Sequence, residues 1–142
     1  LYAPGIEESL RRLYRQFGLP LYVTENGVPD EHDNRRASWL LESLRHVWRV
    51  VNQNVPVLGY YYWSLVDNFE WAEGYDPRFR FGLYGVDFET QSRTLRASGE
   101  LYAEIAGTGT VTTDMVRRYA PRLEDRLFPG SGPEGFQVVA LA

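Results

Sequence analysis

The chain has 142 residues, 44% of them hydrophobic and 24% charged, with a formal net charge of −4. That balance fits one globular domain with a sizeable core, argues against disorder and, with no basic run, argues against a nucleic-acid partner. The lack of cysteine excludes disulfides and thiolate metal sites, and two histidines make a histidine metal site a poor expectation: His32 reads as an exposed loop residue and His46 as a helix-surface one.

No apolar run approaches the ~18 residues of a membrane span. Leu1-Tyr2-Ala3-Pro4 is no signal peptide and lacks an initiating Met, so the expectation is a piece of a longer cytoplasmic protein, with neither metal nor cofactor. Ile6, Leu10, Leu13, Tyr14 and Phe17 then share one face of a helix, with Gly18 placed to end it and Pro20 to block its continuation. Residues 21–24 read as a short buried strand that stops at the turn Glu25-Asn26-Gly27. A polar loop follows, in which Asp30, Glu31, Asp33 and Asn34 are turn and cap formers. Ala37, Leu40, Leu41, Leu44, Val47, Trp48 and Val51 mark the clearest helix, with Arg36, Glu42, Arg45 and Arg49 outside the apolar stripe. Pro56 leads into residues 57–64, uncharged and aromatic, a strand buried on both faces. Strand, helix, strand in this order makes a parallel βαβ crossover and an α/β fold. Residues 83–88 and 93–96 suit a hairpin outside that sheet. Ser98 can cap a last short helix carrying Leu101, Tyr102 and Ile105, stopped by Gly107. Beyond it the signal fades: residues 115–127 are weakly helical and interrupted by Pro121, residues 129–133 read as a linker, and 136–141 as a short apolar run.

Aromatics reach 15%, with four Trp and ten Tyr, and that excess needs either a large core or a stacking surface. After Ser64, the polar residues Asp67, Asn68, Glu70 and Glu73 stand among Phe69, Trp71 and Tyr75. Such a mixture suits a sugar, whose C–H faces stack on rings while its hydroxyls bond to carboxylates and amides. The plainer alternative is a core strand running into a structural loop. In parallel α/β sheets function collects at the C-terminal strand ends. One end here carries Glu25 and Asn26, and the other carries Trp63 through Trp71.

Thr24-Glu25-Asn26-Gly27 closing a strand resembles the nucleophile motif of family 1 glycoside hydrolases, the β-glucosidase and β-galactosidase family. Trp63-Ser64-Leu65-Val66-Asp67-Asn68-Phe69-Glu70-Trp71, then Gly74-Tyr75 and Arg80-Phe81-Gly82-Leu83, resembles that family's glycone-binding segment, in the same order and spacing. The resemblance covers residues 1–107 and implies the C-terminal part of a (β/α)8 TIM barrel, strands 7–8 with helices 6–8. Residues 108–142 are left as an unassigned tail. It implies a retaining β-glycosidase acting on β-glucosides or related small saccharides. Glu25 would be the nucleophile, Trp63 the platform under the glycone, Glu70 a bidentate grip on two hydroxyls and Trp71 an indole donor. Phe81 would line the pocket, and Asn26 would be a further substrate contact. Asp67 and Asn68 are expected to order the loop, Tyr60, Tyr61 and Tyr62 to pack in the barrel, and Trp39 and Trp48 to lie in the core. A neutral glycone is expected, because the Glu70 anion would repel a 6-phosphate. The segment 76–79 is longer than is usual in the family, which leaves both Phe79 and Phe81 open for the pocket position. The family's Asn-Glu-Pro acid/base motif is absent from the sequence. The chain alone is therefore expected to be inactive, with an N-terminal barrel fragment as its partner. Two alternatives stay open: a carbohydrate-binding remnant without catalysis, and a structural piece that docks to such a partner.

Overall fold

The computed structural model describes residues 1–129 and the backbone of Phe136–Gln137; the expected linker beyond residue 129 and the side chains of the apolar run at 136–141 lie outside the described residues. Helix α1 (Pro4–Phe17) starts on a proline, whose missing N–H costs nothing at a helix start, and ends at Gly18, in the left-handed region at φ 64°. Leu10 is buried and Ile6 and Tyr14 lie partly buried against the core, but Leu13 and Phe17 are exposed, so the apolar stripe of α1 is only half covered. Strand β1 (Leu21–Asn26) runs two residues further than expected and takes Glu25 and Asn26 into the strand itself. Helix α2 (Arg36–Val51) returns the chain to strand β2 (Val57–Tyr62), which pairs with β1 in parallel.

Helix α2 has no cap from its own flanking residue. Instead the buried Asp30 carboxylate, six residues upstream of Arg36, accepts from the Arg35 and Arg36 amides at 2.7 and 3.2 Å. That satisfies donors a helix start otherwise leaves orphaned. Leu40, Leu41, Leu44, Val47 and Val50 of α2 are buried against Val23 of β1 and Tyr60 and Tyr62 of β2. Each buried leucine contributes about 1.5–3 kcal/mol of transfer free energy.

Strands β3 (Tyr84–Val86) and β4 (Arg93–Leu95) form the expected antiparallel hairpin, separate from the β1–β2 sheet. Helix α3 (Ala97–Thr108) departs from expectation at both ends. Ser98 does not cap it, since Arg96 precedes it without a side-chain bond, and the helix runs through Gly107 to stop at Gly109, φ 65°. Gly107 has helical geometry with open space where a Cβ would lie, so nothing there breaks the helix. Beyond α3 lie strand β5 (Thr110–Val111), helix α4 (Thr113–Tyr119) and helix α5 (Glu124–Leu127), and β5 pairs with β6 (Phe136–Gln137). Val111, Met115, Val116, Leu123 and Leu127 are buried in the same core as α2 and α3.

His46 is a correction. It is buried, and its Nδ1 lies 2.6 Å from the Glu7 carboxylate of α1, which also pairs with Arg11 and, at 3.6 Å, Arg49. Burial raises the Glu7 pKa, but the bonds from His46 and Arg11 and the charges of Arg49 and Arg11 outweigh it and hold the carboxyl below its ordinary value. The opposite face of the β1–β2 sheet is bare: Tyr22 and Tyr61, whose rings flank Gly59, are exposed there, as is Trp63 at the strand end. Tyr61, expected to pack in a core, is among them. Two parallel strands open at both edges form a partial α/β unit and not a closed barrel.

Candidate active site

Glu25 owes its exposure to a break in strand pairing. Val23 faces the helices, so strict alternation would turn Glu25 the same way. Between the pairs Val23–Tyr60 and Asn26–Tyr62, however, β1 advances three residues while β2 advances two. The extra residue resets the alternation, and Thr24 and Glu25 are both exposed. Glu25 has no hydrogen bond or ion pair to any of the described residues. Asn26 is fixed by its neighbours: its side-chain oxygen accepts from the Tyr60 hydroxyl at 2.8 Å and its carbonyl from the Trp63 amide at 3.1 Å. Burial, with Tyr62 and Tyr102 nearby, pushes the Tyr60 pKa well up, so this hydroxyl stays a donor.

Gly27 closes the join between the two strand ends. A Cβ there would stand 1.7 Å from the Trp63 carbonyl oxygen and 3.4 Å from the Phe81 ring. Only a residue without a side chain lets the turn after Glu25 approach the Trp63 backbone this closely. Thus Glu25, Asn26, Trp63 and Phe81 meet at adjoining strand ends. Phe79 lies apart from this contact, in a short 3-10 turn (Pro77–Phe79) beside the Arg78 guanidinium.

The Trp63–Ser64 peptide is cis. Ser64 then bonds the Val66 carbonyl at 2.8 Å, and the Asn68 amide bonds both Ser64 Oγ and the Val66 carbonyl at 3.2 Å. Asp67 is buried and anchors the loop. Its carboxylate accepts from the Gly82 and Val86 amides at 2.9 and 3.2 Å and from both ends of the Arg96 guanidinium at 2.8 and 2.9 Å. Burial raises its pKa, but the Arg96 bonds and charge and the two amides outweigh this and hold it below the usual value. Asp67 and Asn68 therefore order the loop, as expected.

Glu70 sits before a second 3-10 turn (Trp71–Glu73), and its amide bonds the Gly74 carbonyl at 2.8 Å. Its Oε1 is buried with no hydrogen-bond partner among the described residues, which leaves an acceptor unused there. Trp71 is 87% exposed with a left-handed backbone, φ 45°, and Trp63 is 36% exposed. Phe69, Tyr75 and Phe88 continue the aromatic surface, with ring centroids 5.4 and 4.4 Å apart in succession. Neither Glu70 nor Trp71 bonds to Glu25.

Arg36, expected outside the apolar stripe, has a side-chain exposure of 0%. Its guanidinium pairs with Asp33 and donates to the carbonyls of Asp30 at 2.6 Å and Arg80 at 3.0 Å. Asp33 in turn accepts from the Ser98 amide at 2.9 Å. One buried cation thus ties the loop after Glu25 to the segment carrying Phe81 and to the start of α3. The signal was present in the spacing, since Arg36 stands one turn before Leu40, on the buried face. Arg96 carried no such signal, because its partner Asp67 lies 29 residues away.

Residues 1–110 match the model of Glycosyl hydrolase family 1. The chain belongs to glycosyl hydrolase family 1. Among the family's curated members it is 38% identical over 114 residues to a β-galactosidase of Saccharolobus solfataricus, covering 80% of this chain and 23% of that one. It is 41% identical over 115 residues to a β-glucosidase of an Agrobacterium species, covering 75% and 25%. The solved β-glucosidase of Pyrococcus furiosus superposes with a TM-score of 0.79 at 37% identity, covering 87% of this chain and 26% of that one. The chain spans about a quarter of the length of the curated family members it matches.

Proposed function

We propose that this chain forms the nucleophile-bearing, glycone-binding part of a retaining β-glycosidase active site, the C-terminal portion of a (β/α)8 barrel comprising strands 7–8 and helices 6–8. One observation carries the reading: the Glu25-Asn26-Gly27 turn is seated on the Trp63 carbonyl and the Phe81 ring. A carboxylate exposed beside an indole suits attack on an anomeric carbon above a stacked ring. In this reading Glu25 attacks C1 and forms a glycosyl ester, while Trp63 supports the sugar face. Glu70 accepts from two hydroxyls through its unused oxygen, and Trp71 donates its indole N–H. Phe81 takes the pocket position in preference to Phe79. Asn26, its side-chain oxygen already held by Tyr60, offers its amide N–H2 to the substrate.

A retaining hydrolase also needs an acid/base carboxyl about 5–5.5 Å from the nucleophile. The sequence carries no Asn-Glu-Pro acid/base motif, so in this reading the isolated chain is inactive and the missing acid comes from the rest of the barrel. The bare sheet face of Tyr22, Tyr61 and Trp63 is the surface that portion covers. The substrate is a neutral β-glucoside or β-galactoside, since Glu70 disfavours an anionic glycone.

The test is complementation. The 142-residue chain is mixed with a polypeptide carrying the first six strands of a family barrel, and release of 4-nitrophenol from its β-glucoside is followed. Turnover is expected only in the mixture and falls by several orders of magnitude with Glu25→Gln. Turnover by the chain alone, or a mixture indifferent to Glu25→Gln, would overturn the assignment.

A further inference from the structure

A second concavity, a cleft of about 740 Å³, opens between the start of α2 and the α4–α5 segment, and none of the candidate active-site residues lines it. Arg35, Trp39, Glu42, Tyr119, Arg122 and Arg126 form its walls. Glu42 is the one acid in the lining, and Arg126 already engages it at 2.7 Å. The Arg35 guanidinium donates only to the neutral Pro29 carbonyl, at 3.0 Å. Arg122 has neither hydrogen bond nor ion pair among the described residues. Two arginines of the lining therefore have no carboxylate partner among the described residues, on a chain whose net charge is −4. Two rings, Trp39 and Tyr119, stand in the lining, with Leu1, Asn34, Ser38, Ala120 and Pro121 making up the rest. The Tyr119 hydroxyl is bonded to Glu104 at 2.8 Å and the Arg118 guanidinium lies over its ring at 5.1 Å, while both Tyr119 and Trp39 are partly buried against the core.

We propose that this cleft binds a small organic anion, with a flat aromatic body against Trp39 and Tyr119 and a carboxylate or phosphate held by Arg35 and Arg122. The volume falls within the range of small-molecule sites, and a guanidinium fork matches the planar oxygens of either anion. The ligand is distinct from a neutral glycoside and the site does not depend on the glycosidase assignment.

The test titrates the ¹⁵N-labelled 142-residue chain with benzoate, with phenyl phosphate and with neutral phenyl β-glucoside, while the four indole N–H signals are followed. Either anion is expected to shift the Trp39 signal. Arg122→Ala and, independently, Arg35→Gln are expected to weaken that binding roughly tenfold, the effect of one lost charge-assisted contact. The anion that binds more tightly identifies the preferred head group. The proposal is overturned if neither anion moves the Trp39 signal up to about 10 mM. It is equally overturned if the neutral glucoside moves that signal as much, or if both variants bind as tightly as the parent chain.

Discussion

Gly27→Ala probes the join between the strand ends most directly. An added methyl would lie 1.7 Å from the Trp63 carbonyl oxygen, so the two backbones must part by at least 1.3 Å to reach even 3.0 Å. Overpacking of this kind costs about 1–3 kcal/mol, and the obstacle here is backbone, which cannot rotate away. The same movement strains the Trp63-to-Asn26 hydrogen bond, 3.1 Å in the native chain, with a net value of about 1 kcal/mol. The expected loss is about 2–4 kcal/mol, a large part of the ~5–15 kcal/mol available to a typical domain. With a urea m-value of about 1–3 kcal/mol/M, the midpoint should fall by roughly 1–2 M. Near-UV circular dichroism from Trp63 should change in parallel. A midpoint within experimental scatter of the parent, with the tryptophan signal intact, would refute the claim that Gly27 is required by close approach.

Other expectations follow from the same contacts. Asp67→Ala leaves Arg96 and two amides without their acceptor in a buried place, and should cost about 3–5 kcal/mol in chemical denaturation; a loss below 1 kcal/mol would show the pair to be replaceable. Glu7 and Asp67 both have folded pKa values held below their ordinary ones, so the stability they supply is complete above about pH 4.5 and is lost as pH falls through the folded values. Thermal melts should therefore be level from neutrality to about pH 5 and drop below about pH 4, with a shallower drop in Asp67→Asn; melting temperatures that rise on acidification would contradict the sign. Gly107→Ala, in helical geometry with open space around it, should stabilise by about 0.5–1 kcal/mol, read as a higher urea midpoint.

The parallel βαβ unit was legible because its signals are local. The α2 stripe, Gly18 at a helix end and the uncharged run before Ser64 each speak for their own segment. The two motifs with chemistry in them could be read for the same reason, and the expectation that the two strands lie side by side with adjoining C-terminal ends holds in the structure. What escaped depends on pairing across the fold. No property of Thr24 or Glu25 announces the irregular register between them, because that is set by how β2 lies alongside. His46 looks like a surface residue on α2 alone, and becomes buried only because Glu7 on α1 covers it. Residues 115–127 gave only a weak helical signal broken at Pro121, and the structure shows why: their apolar side chains are shared among α4, a 3-10 turn at Pro121–Leu123 and α5, each too short to display a period.

The extra residue in β1 also bears on how this stretch can vary. Point substitutions at Thr24 leave the count of residues between Val23 and Asn26 unchanged, so the outward presentation of Glu25 survives them. Removing Thr24 would restore regular pairing and leave Glu25, then directly after Val23, on the outward face by plain alternation. The register that seats Asn26 beside Tyr62, more than the identity of Thr24, is what this strand has to conserve, because it fixes where along β2 the carboxylate stands.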